Sequence, residues 1–302
     1  MRWIAPLFAM CSILCAQSTR DISTQAVSSG ALPGFYKGYL YFVEPNDRVR
    51  LFTPDGRFMT SILMQDHGDE RGYVHSVAVD SDGTIAVGWG TRYGSTGIEI
   101  HNGLGDLIRS IDTGLFFPDD VDFAADHSIW AFGWQRAAEH SQVHAKEFPM
   151  LRHYSSAGTE IGACLPRSRF PQGLEPGSAQ WQERRLYVMP DFIGLVAFSG
   201  NTGTQQEWVE VDPNGNIRGR WRLDGMQFPA LSLTSDGNVY AKRRDPKTQW
   251  DKIVVRLDRE NSKWQVVPVA ADGVLFGSDG DQLVFGSWNT GVMVLHWLKQ
   301  PL

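Results

Sequence analysis

The chain has 302 residues, with 28 lysines and arginines against 34 aspartates and glutamates, which gives a formal net charge of −6 at pH 7. The two signs are interspersed along the sequence, which argues against the basic stripe that binding to nucleic-acid phosphates requires. The 31 glycines and 11 tryptophans accompany many short β-branched segments, a composition typical of strands joined by tight turns. A chain of this length still fits one domain if that domain is all-β.

Residues 1–16 have the pattern of a cleaved signal peptide. A short basic start precedes an apolar segment from Ile4 to Cys15, which has about the length of a signal-peptide hydrophobic region. A membrane span would need about 20 apolar residues. We therefore expect cleavage near Ala16, a mature chain beginning at Gln17 and a secreted or periplasmic location, with no membrane span.

From Tyr39 onward, two kinds of hairpin alternate along the chain. Each hairpin is an apolar strand, a turn rich in Asp, Asn or Gly, and a second apolar strand, and such turns supply the backbone angles that tight hairpins need. The first kind recurs about every 43 to 57 residues, in or just beyond the range of four-stranded propeller blades. Its copies are predicted at 76–88, 120–132, 178–188 (around Glu183-Arg184), 229–241 and 273–285, and those of the second kind at 49–62, 98–108, 151–158, 208–221 and 254–261.

Taken in order, the hairpins predict an all-β fold, a β-propeller of about six four-stranded blades over residues 39–302, with five or seven blades as alternatives. Strands A and B come from the first hairpin of each blade and strands C and D from the second. The chain opens with B, C and D and closes with A, B and C, so the ring is two strands short. Within the N-terminal segment 17–38, we expect residues Ile22 to Phe35 to supply one of them by pairing with the terminal blade and covering its edge.

Two of the turn motifs carry a family resemblance. They are the Val-Asp-Ser-Asp-Gly-Thr-Ile stretch at 79–85 and the Leu-Thr-Ser-Asp-Gly-Asn-Val stretch at 233–239. The pattern resembles the six-bladed propellers of the NHL-repeat and gluconolactonase-like superfamily, over most of the mature chain. The resemblance implies an architecture, which many unrelated activities share.

Gluconolactonase-like propellers hold a divalent cation in their central channel, with an early Glu and later Asn and Asp residues. Glu44 lies near the first of these positions but lacks the surrounding motif. The other matching positions here are His75, Asp119 or Asp120, and Phe228, which do not form an evident metal cage. Carry-over of the family's metal chemistry is therefore not supported.

The lengths of the connections indicate where a binding site would lie. The A–B and C–D turns are short, and the long connections are all B–C or D–A, on the opposite face: 65–73, 134–148, 165–177, 190–206 and 243–251. Binding residues are commonly carried by loops on a rigid scaffold, although insertions at such positions can also be merely tolerated. The residues predicted on this face are His75, Asp119, Asp120, Glu175 and Phe228 near the channel, and Trp89, Trp134, Arg243, Arg244 and Trp288 further out.

Metal binding and thiol chemistry have weaker support. Glu139-His140 and His144 lack the His-Glu-x-x-His pattern and a third zinc ligand, and the loop holding Asp66, Asp69 and Glu70 lacks an EF-hand pattern for calcium. Zinc and calcium therefore remain alternatives to the expectation of no cofactor. Cys164 is alone after cleavage, so no internal disulfide can form, and we interpret it as a small hydrophobic residue.

The leading functional hypothesis is a secreted, non-catalytic binding or scaffold propeller, expected to be a monomer because a closed ring needs no partner. Its loop-rich face would engage a small ligand or a protein, because aromatic side chains with a few charges suit a carbohydrate, a peptide or a small organic molecule. Two alternatives stay open: a metal-dependent hydrolase or lactonase acting in the central channel, and a structural protein of the cell envelope. No nucleophile elbow, phosphate loop or Cys-x-x-Cys occurs in the sequence.

Overall fold

The structure is a computed structural model that describes residues 17–23, 27–28, 30–45, 47–64, 72–91, 94–139, 141, 143–170, 184–198, 206–223, 231–244, 252–269, 273–289 and 292–299. The predicted signal peptide, residues 1–16, lies outside them. In these ranges, no helix has the length and apolar character needed to cross a membrane.

The described chain forms 24 strands and one 3₁₀ turn, Arg167–Arg169. The strands of the first half are β1 (Gln17–Ser23), β2 (Leu32–Tyr36), β3 (Tyr39–Val43), β4 (Arg48–Phe52), β5 (Phe58–Leu63), β6 (Gly72–Val79), β7 (Ile85–Thr91), β8 (Thr96–His101), β9 (Leu107–Asp112), β10 (Phe116–Phe123), β11 (Ile129–Gln135) and β12 (Pro149–Tyr154). Those of the second half are β13 (Glu160–Pro166), β14 (Leu186–Val188), β15 (Ile193–Phe198), β16 (Gln206–Val211), β17 (Ile217–Arg222), β18 (Leu231–Leu233), β19 (Val239–Arg244), β20 (Lys252–Asp258), β21 (Lys263–Val267), β22 (Val274–Asp279), β23 (Gln282–Asn289) and β24 (Val292–Lys299).

These strands form six four-stranded antiparallel sheets, the blades of a propeller. Blades 1 to 5 are β2–β5, β6–β9, β10–β13, β14–β17 and β18–β21, and blade 6 has the order β22-β23-β24-β1. The first strand of each blade, strand A, lies innermost, where the A strands of neighbouring blades contact one another. The predicted six-bladed, all-β propeller is confirmed.

The N-terminal segment closes the ring. Strand β1 pairs with β24, and Ile22, opposite Met293, is buried against the blade 6 and blade 1 core. Strand β2 pairs with β3 and is strand A of blade 1. The sequence predicted one strand in this segment, whereas the structure has two, because the tight turn at Lys37-Gly38 joins β2 to β3 as a hairpin. The outer edge of blade 6 is thereby covered by β1.

Blade 4 differs from the sequence-based expectation. A hairpin was predicted at 178–188 with its turn at Glu183-Arg184, but β14 begins at Leu186 and the turn is Met189 to Phe192, closed by a 2.9 Å bond from Met189 N to Phe192 O. That prediction was wrong because β14 has only three residues, too few to show an alternating pattern, and the Pro190-Asp191 turn lacks the glycine found in the turns of most other copies. The predicted long loop at 190–206 therefore contains strand β15.

The antiparallel order of the strands places the A–B and C–D turns at one end of the blades and the B–C and D–A connections at the other. The A–B and C–D turns are short, and the long connections are all at the opposite end. In the A–B turn of blade 3, His127 has a φ of 65° where the matching turns have Gly83 at 87° and Gly237 at 80°. Residues other than glycine seldom adopt this conformation, so the His127 turn is held by its surroundings.

Candidate functional site

Bulges in the innermost strands aim three side chains out of the regular pleat. The pairing of β6 with β7 shifts between Val74 and Ser76, that of β10 with β11 between Pro118 and Asp120, and that of β22 with β23 between Leu275 and Gly277. The residues left without a partner in the ladder are His75, Asp119 and Phe276. Bulges of this kind re-aim side chains and are common next to functional sites.

An aromatic stack connects the channel wall to the long β11–β12 connection. The His75 ring meets Phe117 edge-on with 4.5 Å between ring centroids, Phe117 stacks on Trp134 at 4.9 Å, and Trp134 stacks on His144 at 4.2 Å. The Arg136 guanidinium lies 5.5 Å from the Phe117 ring centroid. Phe117 and Trp134 are buried, and the edge of the Phe117 ring packs against Gly90 of β7, so the stack is part of the packing between blades 2 and 3.

Asp119 lies beside this stack as a buried carboxyl group. Its nearest charged partner is Arg185, with 3.4 Å between Nη2 and Oδ2 and both side chains 1 % exposed. Among the described residues, neither carboxyl oxygen accepts a hydrogen bond of good geometry. Burial raises the pKa of Asp119 to about 7, against the opposing effect of Arg185 and of the Trp134 indole. Asp119 can therefore carry or release a proton near neutral pH.

His75 is held in the neutral form. Burial lowers its pKa to about 3, and the positive charge of Arg185 acts in the same direction. Its Nε2 and the Nε1 of Trp134 are buried and have no hydrogen-bond partner among the described residues. His75, Asp119 and Trp134 thus form a set of largely buried polar groups. The Trp134 indole and Arg185 lie beside the Asp119 carboxyl, but the atoms of the three side chains do not meet in well-formed hydrogen bonds. We call these three residues the polar cluster.

The neighbouring carboxylates Asp120 and Asp122 have structural roles. Asp120 Oδ2 accepts from the backbone N–H groups of Arg185 (2.6 Å) and Leu186 (2.9 Å), and Asp122 Oδ2 accepts from Val188 N at 2.8 Å. These bonds tie strand A of blade 3 to the start of blade 4. Asp120 was predicted as a binding residue, and its contacts are those of an inter-blade tie.

Arg184 crosses the central channel. It donates to the carbonyl oxygens of Val77 (3.0 Å) and Val121 (3.3 Å), lies 3.7 Å from Asp122, and places its guanidinium 4.0 Å from the Tyr36 ring centroid. It therefore links blades 1, 2, 3 and 4 and neutralises part of the acidic charge in the channel. A metal ion at Asp120 and Asp122 would compete with a guanidinium already in place.

The remaining predicted binding residues do not join the polar cluster. Trp89 is buried in the core of blade 2, where its indole covers Gly97, and Arg243 is half-buried on β19. The backbones of Arg244 and Trp288 lie in β19 and β23. Their side chains, like all of Glu175 and Phe228, lie outside the described residues.

The metal and thiol candidates are placed as follows. His144 stacks on Trp134, and its backbone bridges to Arg136, while Glu139 is exposed. Glu44 is buried at the end of β3, where it accepts from Arg50 Nε at 2.7 Å. Burial raises the pKa of Cys164 to about 11, so the thiol stays protonated at neutral pH. The residues His140, Asp66, Asp69 and Glu70 lie outside the described residues.

One group on the short-turn face brings three side chains of metal-ligating type together. Within the described ranges, Asp80, Asp82 and His127 place their ligating atoms within 4.8 Å of one another. Asp80 Oδ2 lies 2.6 Å from His127 Nδ1, and Asp82 Oδ1 accepts from Thr84 N at 2.9 Å. These contacts account for the group as the hydrogen bonding of two adjacent turns.

Sequence reasoning named all three members of the polar cluster, His75, Asp119 and Trp134, and missed Phe117 and Arg185. Phe117 precedes Asp119 by two residues in an apolar strand, and nothing in the sequence separates it from core. Arg185 was missed because the blade 4 hairpin was predicted at the wrong residues, so its position beside strand A of blade 3 could not be predicted.

No protein-family model and no curated protein sequence matches the chain. Solved structures do match its fold. One is the PQQ-bound aldose sugar dehydrogenase of Streptomyces coelicolor, with a TM-score of 0.52 and 13 % identity, covering 94 % of this chain and 98 % of that one. Another is a gluconolactonase of Xanthomonas campestris, with a TM-score of 0.51 and 12 % identity, covering 93 % and 90 %. At these identities the likeness is one of fold.

Proposed function

We propose that the chain is an exported, non-catalytic binding propeller that takes up a small hydroxyl-bearing ligand at the polar cluster, at the end of the channel where the long connections lie. The observation that carries this is the set of unused buried polar atoms on His75, Asp119 and Trp134. Export is supported by the signal-peptide pattern of residues 1–16. It is tested by the mass of the protein secreted from its host, which should correspond to a chain beginning at Gln17.

Such atoms are rare in native proteins for an energetic reason. Buried polar groups in native proteins are almost always hydrogen-bonded, and each one left unsatisfied costs about 1–3 kcal/mol. Three such groups side by side would carry a cost of this kind if nothing bound to them, although Arg185 and the Trp134 N–H offset part of it at Asp119. A ligand that supplies the missing partners recovers this free energy on binding, and the fold tolerates the cost when the site is a binding site.

The chemistry of the cluster indicates the class of ligand. Trp134 offers an N–H donor, neutral His75 offers one ring nitrogen, and Asp119 accepts when ionised and both donates and accepts when protonated. Hydroxyl groups match this mixture because each one can donate and accept. A cationic ligand would be opposed by buried Arg185 and an anionic one by Asp119 above pH 7. The polar cluster therefore fits a neutral sugar or polyol.

The test is calorimetric titration of the mature protein with glucose, xylose and inositol. Trp134→Phe keeps the stacked ring but removes the N–H, and should weaken binding about tenfold, the usual effect of losing one hydrogen bond. Trp264→Phe is the matched control, because that indole donates to Arg222 O on an outer strand at 2.9 Å. The proposal would be overturned if none of the three sugars or polyols bound saturably, or if both variants lost the same amount of affinity.

A second candidate function, hydrolysis of a lactone or an ester, is favoured by the pKa of Asp119 at about 7. A buried carboxyl that titrates near the working pH is suited to act as a general base on water. The test is a panel of lactone and ester substrates. Hydrolysis that rises with a midpoint near pH 7 and is lost in Asp119→Asn would support catalysis, and binding without turnover would leave the non-catalytic proposal in place.

A further inference from the structure

A pocket lies at the end of the central channel opposite the polar cluster, between the A–B turns. It is a small, partly open depression, and the roughly 420 Å³ of unoccupied space between its walls includes open solvent at the mouth. Its walls are mostly apolar, formed by Phe35, Val188, Met189, Leu233 and the bulged Phe276. Three charged side chains also line it: Lys37, Asp122 and Arg184. It is separate from the polar cluster, because it opens at the C-terminal ends of the A strands instead of their N-terminal ends.

The hydrogen bonds of this pocket leave donors available and its carboxylate occupied. Asp122 Oδ1 accepts from the Tyr36 hydroxyl (2.5 Å) and from Lys37 Nζ (3.2 Å), and Oδ2 accepts from Val188 N. Lys37 has three N–H donors, and the bond to Asp122 uses one of them. The lining thus carries an ammonium and a guanidinium against one carboxylate, while Asp120 beside Arg184 and Asp279 beside Gly38 place further negative charge nearby. The half-exposed Lys37 ammonium is the donor that an incoming ligand can reach, and it pairs best with an acidic oxygen.

Lysine is an unusual residue at position 37, because the backbone conformation of the turn there has an energetic cost for lysine. Lys37 has a φ of 42° and is followed by Gly38 at 95°, which is the geometry of a type I′ hairpin turn with positive φ at both positions. Asn or Gly is favoured at the first of them, and a left-handed backbone is strained for a residue like lysine. The Lys37 side chain is 53 % exposed, so its ammonium stands at the mouth of the pocket, 4.9 Å from the Tyr36 ring centroid.

We infer that this pocket binds a small monocarboxylate with an apolar or aromatic body, whose carboxylate pairs with Lys37 at the mouth and whose body packs against Phe276 and the apolar wall. The inference goes beyond the proposed function, because it concerns another site and another class of ligand. Charge-assisted hydrogen bonds between an ammonium and a carboxylate are stronger than neutral ones, and the apolar wall adds burial of the ligand body.

The probe is phenylacetate, titrated into the mature protein by calorimetry, with 2-phenylethanol as the neutral molecule of the same body. We expect saturable binding of phenylacetate and at least tenfold weaker binding of 2-phenylethanol. Lys37→Asn should lower phenylacetate affinity at least tenfold while its melting temperature stays equal or rises, because asparagine suits the turn. Lys37→Arg keeps the charge and should retain binding. Lys263→Asn, at an exposed lysine of β21, is the control and should bind like wild type.

Three results would each overturn the inference: no saturable binding of phenylacetate to wild type, equal affinity for the neutral probe, or unchanged affinity in Lys37→Asn. The Trp134→Phe variant separates this site from the polar cluster. It should bind phenylacetate like wild type, so failure of the sugar proposal and failure of the carboxylate inference are distinguished in one set of titrations.

Discussion

Replacing Asp119 by asparagine should change how the stability of the protein depends on pH. In the unfolded chain this carboxyl has its ordinary pKa of 3.8, whereas burial raises its pKa to about 7 in the folded protein. Between these values the unfolded chain releases its proton and the folded protein holds it. The folded state therefore binds more protons, and the contribution of Asp119 to stability falls as the pH rises from 3.8 to 7.

The size of the effect follows from the shift. Three pKa units correspond to about 4 kcal/mol, at about 1.4 kcal/mol per unit. The amide of the Asp119→Asn variant cannot ionise, so the variant escapes this loss. The free energy of unfolding of Asp119→Asn minus that of wild type should therefore increase from pH 4 to pH 7, by an amount on the order of 4 kcal/mol, and should level off above pH 7.

Urea unfolding followed by tryptophan fluorescence at pH 4, 5, 6, 7 and 8 measures this difference. Asp191→Asn is the control, because it makes the same substitution at a side chain that is 73 % exposed. A difference for Asp119→Asn that is constant between pH 4 and 7 would refute the assignment of Asp119 as a buried carboxyl of raised pKa.

Further expectations concern the cluster, the ring and one turn. His75→Gln should have the opposite pH effect. The pKa of His75 is about 3 in the folded protein and 6.5 in the unfolded chain, so wild type loses stability as the pH falls from 6.5 to 3. Denaturation curves over pH 3–7 should show the stability of the variant rising relative to wild type as the pH falls, and a constant difference would contradict this. Trp134→Ala should cost about 3–5 kcal/mol of unfolding free energy in urea, and Trp134→Phe much less, since the residue is buried in the stack. Ile22→Ala should cost about 2–5 kcal/mol if β1 closes the ring, and a loss below 1 kcal/mol would argue against that closure. The hydrogen bond to Asp80 raises the pKa of His127 in the folded protein. The stability that this bond adds is therefore present below pH 6.5 and is lost as the pH rises through the folded pKa of His127. In thermal melts, the difference in melting temperature between wild type and His127→Asn should shrink as the pH rises over this range.

The ring itself could be predicted because the turns repeat a local backbone requirement. Asp-Gly and Asn-Gly pairs recur at the short ends of the blades, and the strands between them alternate in polarity. Where a turn lacks this signature, as at Met189 to Phe192, the residue pattern indicates no reliable register. Strand β2 was unassigned for a related reason, since its turn uses Lys37 at a position where asparagine or glycine is expected.

The candidate site was predictable in part. His75, Asp119 and Trp134 stood out as polar or aromatic residues beside apolar strands at the long-loop ends. Their meeting depends on two bulges, and a bulge leaves no reliable trace in the residue pattern. The role of Asp120 as a tie to Arg185 and Leu186 could not be foreseen either, because it depends on how far apart adjacent blades sit around the channel.

The proposed function requires that a ligand supplies hydrogen-bond partners to the buried polar atoms of Asp119 and Trp134. A crystal structure of the mature protein soaked at pH 7 with glucose at saturating concentration measures this directly. We expect hydroxyl oxygens of the sugar within 3.2 Å of Trp134 Nε1 and of an Asp119 carboxyl oxygen, the usual hydrogen-bond range of about 2.7–3.2 Å. A structure in which both groups bond to the protein's own side chains and glucose is absent from the cluster would contradict it.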